Sequence, residues 1–377
     1  MVNPKIGVNE LSGNKCGRQV EVYPGNTGDP TTVPDQVNTL KQRFGLDRVI
    51  LVGDRGMLTQ TQIDELKRHP GVGWISALRS EKVRKLFDEK HLQLSLFDQQ
   101  NLAEIHSPDF PGERLMACFN PLLAEERKRK RRELLDETEQ ALEKISKEVK
   151  RRTKKPLSAA EIGTKVGKMI NRFKMGKHFE LSITDGQFSY ARRADAIERE
   201  AELDGIYVIR TSESKQSLST EDAVRSYKNL AQVERVFRTF KGLDIRIRPI
   251  HHRTEERVRA HIFICLLAYY VEWHLRQVLA PLLFDDETLA LDRKQRDPVA
   301  PAEPSTAAKT KKVARVTENG LPIHSFKTLM AEMGTRCRHR CRVKSDPACP
   351  PIFQDTDPTP LQVRALELTR LLPVRGI

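Results

Sequence analysis

The stretch Arg48–Asp54, RVILVGD, decides the fold, because its unbroken apolar run is typical of a β-strand buried on both faces of a sheet. A helical pattern covers Thr32–Phe44 before it, and Gly71–Arg79 after it has the pattern of a second strand. Further upstream, RQVEVYP (Arg18–Pro24) alternates like a strand and stops at the turn sequence GNTGDP. This alternation of strand, helix and strand predicts an α/β sheet.

Composition points to a polyanionic partner. The chain has 377 residues, 38% of them hydrophobic, and a formal net charge of +14, which favours nucleic acid or an anionic membrane surface. The most apolar stretch, His261–Trp273, is far shorter than the ~20 residues that span a bilayer, and we predict that it forms a buried helix. The first residues contain no secretory signal, and six scattered cysteines favour a reducing cytoplasm. We therefore expect DNA or RNA as the partner and no membrane association.

Shifts in composition divide the chain into four parts. Residues 1–17 are polar and are predicted to be disordered; 18–78 and 204–283 carry the buried-type strands of a discontinuous core. Residues 79–203 read as an inserted α+β module, with short strands at HFELSIT and QFSYARR. Residues 284–377 combine a flexible linker with a tail that holds two helices, SFKTLMAEMG and LQVRALELTRLL.

The inserted module contains a long charged helix, Ala124–Lys155, whose first turns are strongly basic. A thin apolar seam runs along it, formed by Leu135, Leu142, Ile145 and Val149. Such a helix either packs along one edge of the protein with a solvated face or presents its cations to DNA.

A second helix is predicted to open in SLSTEDAVRSYKNL, with Ser219 or Thr220 as its cap, and to continue through YKNLAQVERVFRTFK (Tyr227–Lys241). The stretch Tyr227–Lys241 has two distinct faces. At about 100° per residue, four polar side chains lie within roughly 60° of one another: Tyr227, Glu234, Arg238 and Lys241. A separate apolar stripe is formed by Val233, Val236, Phe237 and Phe240. The polar face is either a solvated surface with a salt bridge or a functional site.

Two acids could bind metal. Asp54 ends a predicted buried strand, where a sheet holds a carboxylate firmly at the edge of a crevice, although turn or cap aspartates are common there too. Glu234, on the predicted helix, would supply a second carboxylate for divalent metal in phosphoryl transfer, with Tyr227, Arg238 and Lys241 holding phosphate oxygens. If the carboxylates of Asp54 and Glu234 share a metal pair, their Cα atoms should lie within roughly 10 to 12 Å of each other.

The segments GNTGDPTT and VILVGDRGM, together with the order Tyr227, Glu234, Lys241, resemble the DDE transposases of bacterial insertion sequences. The similar branch carries a tyrosine, arginine, glutamate and lysine signature, and the resemblance runs from about Val20 to about Leu279. It implies a ribonuclease H-like core with a long insertion between its second and third acids. By this match Asp54 is the second catalytic acid, Glu234 is the third, and Arg55 is the basic residue that follows the second.

The chain departs from the family pattern in two places. The signature arginine falls at Leu230, and Arg238 is the candidate to replace it. The first acid should precede the GNTGD turn, where Glu10, Glu21 and Asp29 are all poor matches. We therefore expect a copy truncated at its N-terminus, lacking the strand that carries the first acid and the family's usual N-terminal DNA-binding region.

The resemblance implies DNA strand cleavage and transfer in the transposition of an insertion sequence, with two Mg²⁺ (or Mn²⁺) ions. It implies binding to element ends and target DNA by a homodimer in the synaptic complex, at the nucleoid of a bacterial cytoplasm. Arg246 and Arg248 suit phosphate contacts. With one acid missing, we expect this chain to be inactive or nearly so. The alternatives are a non-catalytic DNA-binding remnant and, with less support, a metal-dependent nuclease.

The tail contains a weaker candidate for a metal site. Its potential zinc ligands are Cys337, His339, Cys341 and Cys349. Their spacing is not that of paired CxxC motifs, so we do not predict a zinc site here.

Overall fold

The protein has a mixed α/β fold, described by a computed structural model that covers residues 5–10, 18–241, 245, 247–300, 303–342 and 350–370. The strands are β1 (Lys5–Glu10), β2 (Arg18–Tyr23), β3 (Val49–Val52), β4 (Val72–Ala77), β5 (Leu102–Ile105), β6 (Arg114–Phe119), β7 (Phe179–Thr184), β8 (Gln187–Arg192), β9 (Ile206–Thr211), β10 (Arg338–Cys341) and β11 (Ile352–Asp355). The helices are α1 (Val33–Gln42), α2 (Gln60–Leu66), α3 (Ser80–Asp88), α4 (Pro121–Arg151), α5 (Ala159–Phe173), α6 (Ala194–Ala201), α7 (Thr220–Lys228), α8 (Leu230–Lys241), α9 (Glu255–Val278), α10 (Leu289–Gln295), α11 (Thr306–Ala314), α12 (Phe326–Met333) and α13 (Pro360–Arg370).

Contacts divide the chain into two compact units. The first, here called the sheet unit, comprises Asp29–Lys228 and Pro298–Pro301. The second, the helical unit, comprises Met1–Gly28, Asn229–Asp297 and Ala302–Ile377. The chain passes from one unit to the other at four points, one of which lies between α7 and α8.

The sheet unit is built on five strands in the order β3-β4-β9-β6-β5. Strand β3 runs parallel to β4, and the other neighbouring strands are antiparallel. Strand β9 is central and buried on both faces, because Ile206 and Val208 pack on the side of α3 while Ile209 packs on the side of α7. Its predicted burial is confirmed.

The predicted burial of the strand in RVILVGD is wrong. Strand β3 lies at the edge of the sheet and only Val49 is fully buried, while Ile50, Leu51 and Val52 are half-buried. An apolar run of four residues indicates a strand, but the strand's position in the sheet depends on pairing with residues that are distant in sequence.

The long helix α4 packs with α5 and the β7–β8 hairpin around a hydrophobic cluster of its own within the sheet unit. The predicted seam residues Leu135, Leu142, Ile145 and Val149 are all buried in this cluster. The two strands predicted from HFELSIT and QFSYARR are confirmed as β7 and β8. Strands β5 and β6, which also fall within the predicted insertion, pair instead within the five-stranded sheet.

The helical unit contains the β1–β2 hairpin and the helices from α8 onward. Disorder was predicted for residues 1–17, but Lys5–Glu10 form β1, whose backbone pairs with β2. The predicted flexible linker is also wrong in part, because it contains helices α10 and α11. Ser305 caps α11 by accepting a hydrogen bond from the Ala308 N–H. The two helices predicted in the tail are confirmed as α12 and α13.

Candidate active site

Asp54 lies in the turn that follows β3, and its carboxylate organises that turn. Its Oδ1 accepts hydrogen bonds from the backbone N–H groups of Gly56, at 2.9 Å, and Met57, at 2.7 Å. Asp54 is exposed, and its Oδ2 makes no hydrogen bond or ion pair within the described residues. One oxygen therefore fixes the turn while the other faces solvent, so the turn role and a ligand role are compatible.

Packing beneath the turn holds Asp54 in place. A Cβ at Gly53 would lie 2.7 Å from Leu58 Cγ, so only glycine allows the buried Leu58 side chain to close under the loop. The Gly53 N–H also donates to Ile75 O of the neighbouring strand at 3.1 Å. Arg55, the next residue after Asp54, is exposed and makes no ion pair within the described residues, which leaves its guanidinium available for an anionic ligand.

Glu234 and Arg238 lie one turn apart on α8, and both side chains are exposed. Neither forms an ion pair within the described residues, so the cation and the carboxylate of this face are both open to ligands. Val236 and Phe240 are buried on the other side of the helix, and Val233 and Phe237 are half-buried. The predicted two-faced pattern is confirmed for this part of the sequence.

The apolar face of α8 packs within the helical unit. Phe240 contacts Tyr269 of α9, with ring centroids 5.2 Å apart, and the same cluster includes Val22 of β2 and Ile262 of α9. Phe240 therefore packs on α9 and the β1–β2 hairpin. The amphipathic pattern shows that a face is buried but does not identify the element that covers it.

The predicted single helix over Tyr227–Lys241 is two helices. Helix α7 ends at Lys228, Asn229 forms a turn, and α8 begins at Leu230. Ser219 caps α7 as predicted, because its Oγ accepts a hydrogen bond from the Asp222 N–H at 3.1 Å. Tyr227 is half-buried against the sheet-unit core and therefore belongs to a different unit from Glu234.

The remaining predicted phosphate contacts lie at and beyond the end of α8. Lys241 is its last helical residue, Arg246 lies outside the described residues, and Arg248 is exposed. Leu230, at the position of the signature arginine, is half-buried at the start of α8. The replacement of that arginine by Arg238 stays a prediction.

The two acids belong to different units, Asp54 to the sheet unit and Glu234 to the helical unit. The predicted separation of their Cα atoms stays a prediction. Within the described ranges, no three His, Cys, Asp or Glu side chains form a group that could hold a metal ion. In the tail, Cys337 and Cys341 are exposed free thiols, and Cys349 lies outside the described residues.

Sequence reasoning missed an arginine that holds the loop leading into α7. Arg114 of β6 forms an ion pair with Glu104 of β5, Nε to Oε1 at 2.8 Å, and donates from Nη1 to the carbonyl oxygens of Glu213 and Leu218. Its Nη2 also donates to Thr220 Oγ1, at 3.0 Å. These bonds lower the pKa of Glu104 and fix the start of α7 against the sheet. In the sequence, the only indication of this role was the position of Arg114 at the start of an apolar strand.

The basic part of α4 presents three unpaired cations to solvent. Arg127, Lys128 and Arg132 are exposed and make no ion pair within the described residues. Their neighbours on the helix are paired: Arg129 with Glu133 at 2.6 Å, Lys130 with Glu126 at 2.5 Å, and Arg131 with Asp204. The free cations therefore form a small positive surface at the start of the helix.

Residues 6–271, more than half of the chain, match the family described as Transposase DDE domain. The chain therefore belongs to this transposase family, whose substrate is DNA. Neither the comparison with curated proteins nor that with solved structures finds a match. Among the described helices, none is both long enough and apolar enough to span a bilayer.

Proposed function

We propose that the chain is a DNA transposase of insertion-sequence type, with Asp54 and Glu234 as its second and third metal-binding acids. The observation that carries the proposal is the Asp54 turn, which holds one carboxylate oxygen with two backbone N–H groups and leaves the other open. The reaction is hydrolysis of a phosphodiester at the end of the element, followed by attack of the freed 3′-hydroxyl on target DNA.

The donor atoms suit Mg²⁺ or Mn²⁺. Hard divalent cations bind carboxylate oxygens, and both Asp54 and Glu234 are exposed acids without an ion-pair partner in the described part of the chain. The chemistry that a pair of such cations supplies is activation of the attacking oxygen and stabilisation of the leaving oxygen. The residues of this chain would hold the ions and position the DNA phosphate beside them.

The cationic residues around these acids would bind the phosphate backbone. Arg55 follows Asp54 directly, and Arg238 shares the exposed face of α8 with Glu234. We assign to the same role Tyr227, Lys241, Arg246 and Arg248. The exposed cations of α4 extend the positive surface and would contact DNA outside the site of reaction.

The proposed core is ribonuclease H-like and discontinuous, formed by 18–78 and 204–283. The module at 79–203 is inserted between the second and third acids, and its strands β5 and β6 extend the sheet of the core. The parallel pair β3–β4 and the turn after β3 support this assignment. We further propose that two copies act in one synaptic complex on the element ends and the target DNA, at the nucleoid of a bacterial cell.

We expect little strand cleavage from this chain alone. Two matched carboxylates would oppose roughly four positive charges from two metal ions, whereas a two-metal site normally has a further acid that bridges both ions. One ion would then bind weakly. The second candidate function is a non-catalytic DNA-binding remnant, favoured by the absence of a matched first acid and by Leu230 at the signature position.

The test measures metal binding and cleavage separately. Mn²⁺ binding to the purified chain with DNA carrying the element's ends is followed by electron paramagnetic resonance, and nicked and joined products are followed on gels. We expect Asp54→Asn and Glu234→Gln each to weaken Mn²⁺ binding about tenfold or more, because each removes one charged ligand. Glu133→Gln, which removes an exposed acid of α4, is the matched control.

Unchanged Mn²⁺ affinity in both site variants would refute the assignment of these acids. DNA binding that needs neither acid nor metal, with no cleavage under any condition, would establish the DNA-binding remnant. Robust cleavage that depends on Asp54 and Glu234 would confirm the site and contradict the expected low activity.

A further inference from the structure

The tail of the chain contains a two-stranded antiparallel ribbon, β10–β11, which lies outside residues 6–271 that match the transposase family. The ribbon pairs with no other described strand, and all eight of its residues are exposed. A hairpin without a packed face is only marginally stable in water and adds nothing to a hydrophobic core. Packing therefore does not explain the residues that this ribbon carries.

One face of the ribbon, here called the arginine face, combines guanidinium groups with an aromatic ring. Successive side chains of a strand point to opposite faces, so Arg338 and Arg340 share a face. Directly paired residues of antiparallel strands also share a face, which adds Asp355 opposite Arg338 and Phe353 opposite Arg340. The other face carries Cys341 of β10.

Three guanidinium groups of the ribbon are available to a ligand. Arginine occupies every second position from 336 to 342, so that Arg336 precedes the strand and Arg342 follows it. Arg336, Arg340 and Arg342 are exposed, and none of them makes an ion pair with another described residue. By comparison, Arg259 of the same unit pairs with Glu255 at 2.9 Å. A row of three unpaired guanidinium groups indicates a site for a polyanion.

The only acid on the two strands is already neutralised. Arg338 donates to Asp355 from Nε to Oδ1, at 2.7 Å, and from Nη2 to Oδ2, at 2.8 Å. The hydrogen bonds from Arg338 lower the pKa of Asp355, so its carboxylate stays charged at neutral pH and is balanced by the guanidinium. This acid therefore does not oppose an anionic ligand on the arginine face.

The shape and charge of the ribbon fit duplex DNA. An arginine fork binds two phosphate oxygens at once, and the net charge of +14 favours a polyanionic partner. The major groove of B-form DNA is about 12 Å wide and admits a two-stranded β-ribbon, whereas the major groove of A-form RNA is too narrow for side chains to read. Phe353 is 59% exposed on the arginine face, and the thymine methyl group in the DNA groove is an apolar contact for it.

We propose that the β10–β11 ribbon binds duplex DNA in the major groove, with Arg336, Arg340 and Arg342 on backbone phosphates and Phe353 directed at the bases. The ribbon contains neither of the proposed metal-binding acids and needs no metal ion. It gives the transposase a DNA contact separate from the reaction site. The inference rests on the proposed function only in taking DNA as the substrate.

The first experiment measures the affinity of the full chain for a short labelled DNA duplex by fluorescence anisotropy at several salt concentrations. Replacing Arg336, Arg340 and Arg342 by alanine should reduce the slope of log K against log salt by up to about 2.7, because each phosphate contact contributes about 0.9. Replacing the same three residues by lysine should restore most of the slope, because the charges remain.

The matched control removes three cations of the same unit that already have partners. Each of them pairs with a glutamate: Arg259, Lys309 and Arg364. Their replacement by alanine changes the net charge by the same amount and should alter the salt slope less. Far-UV circular dichroism checks that every variant is folded.

The second experiment compares the two faces of the ribbon by thiol labelling. Phe353→Cys places a thiol on the arginine face, whereas the native Cys341 is an exposed free thiol on the other face. N-ethylmaleimide, mapped by mass spectrometry, should label both positions rapidly in the chain without DNA. With duplex DNA at about tenfold its Kd, labelling at position 353 should slow on the order of tenfold, because only the unbound fraction reacts. Labelling of Cys341 should change little.

Slow labelling of both thiols without DNA would show that the rest of the chain covers the ribbon, and the proposal would be overturned. Equal effects of DNA on the two thiols would exclude a groove contact by the arginine face. Protection of position 353 by duplex RNA as strong as that by DNA would exclude the major groove. A triple alanine variant with the salt slope of its control would show that these arginines contact no phosphate.

The proposed metal site and the ribbon fail separately. The variants Asp54→Asn and Glu234→Gln should leave the protection of position 353 by DNA unchanged. Unchanged Mn²⁺ affinity in those two variants would refute the metal site without altering the labelling result or the salt slope.

Discussion

Arg210 and Glu113 form a buried bidentate ion pair in the sheet unit. Arg210 Nε lies 2.6 Å from Glu113 Oε2, and Nη2 lies 2.6 Å from Oε1. The Arg210 residue is 7% exposed and the Glu113 side chain 2%. The guanidinium also lies over the Phe110 ring and donates to Gln60 Oε1, so this arginine of the central strand joins the sheet to α2 and to the turn before β6.

Breaking this pair should destabilise the sheet unit strongly. We expect Glu113→Gln to lower the free energy of unfolding by about 3–5 kcal/mol, because it leaves a buried guanidinium without its counter-ion. Urea denaturation followed by tryptophan fluorescence measures the loss, since Trp74 lies in this unit. The surface control Glu133→Gln should cost less than about 1 kcal/mol. Equal costs for the two variants would contradict the structural role of the pair.

The turn role of Asp54 can be separated from its proposed ligand role. Asp54→Ala removes the acceptor of two backbone N–H groups and should cost about 1 kcal/mol of stability. Asp54→Asn keeps an amide oxygen at that position and should retain most of that stability. Thermal unfolding of both variants checks this, and an asparagine variant as unstable as the alanine variant would show that the charge, not the acceptor, holds the turn.

DNA binding should be non-specific and steeply dependent on salt. We expect the triple variant Arg127→Ala, Lys128→Ala, Arg132→Ala to reduce the slope of log K against log salt by up to about 2.7, because each phosphate contact contributes about 0.9 to the slope. Fluorescence anisotropy with duplex DNA at several salt concentrations measures it. The control Arg129→Ala removes a cation already paired with Glu133 and should change the slope less. Salt-independent binding of the parent chain would contradict a phosphate interface.

His178 should make the protein less stable in mild acid. Burial lowers the pKa of this histidine below its ordinary value of 6.5, despite Glu200 Oε2 lying 2.7 Å from Nε2. Because the unfolded chain takes up the proton first, the stability contributed by neutral His178 is full above pH 6.5. It is lost as pH falls through the lower folded pKa.

The measurement is the unfolding midpoint at several pH values below and above 6.5. We expect His178→Gln to flatten this dependence, with His91→Gln, a half-buried surface histidine, as the control. An unchanged pH dependence in His178→Gln would show that other groups cause the acid sensitivity.

The elements themselves were largely predictable from the sequence. Strands β4 and β9, the seam of α4 and the cap of α7 follow from local patterns, because period and capping are set by residues a few positions apart. Family membership was likewise visible in short motifs, which the match over residues 6–271 confirms.

Tertiary structure alone decided where these elements lie. An apolar run identifies a strand, but β3 lies at the sheet edge because long-range pairing places β9 in the centre. The break at Asn229 lies where one compact unit ends and another begins, a division that helical periodicity does not encode. The buried pair of Arg210 and Glu113 joins residues 97 positions apart. The predicted burial of the helix at His261–Trp273 is wrong for Phe263, Ile264 and Leu267, which are exposed on α9, because an apolar residue's exposure depends on what packs against it. Sequence patterns report local geometry and burial tendency, whereas the free energy of pairing distant groups selects the arrangement.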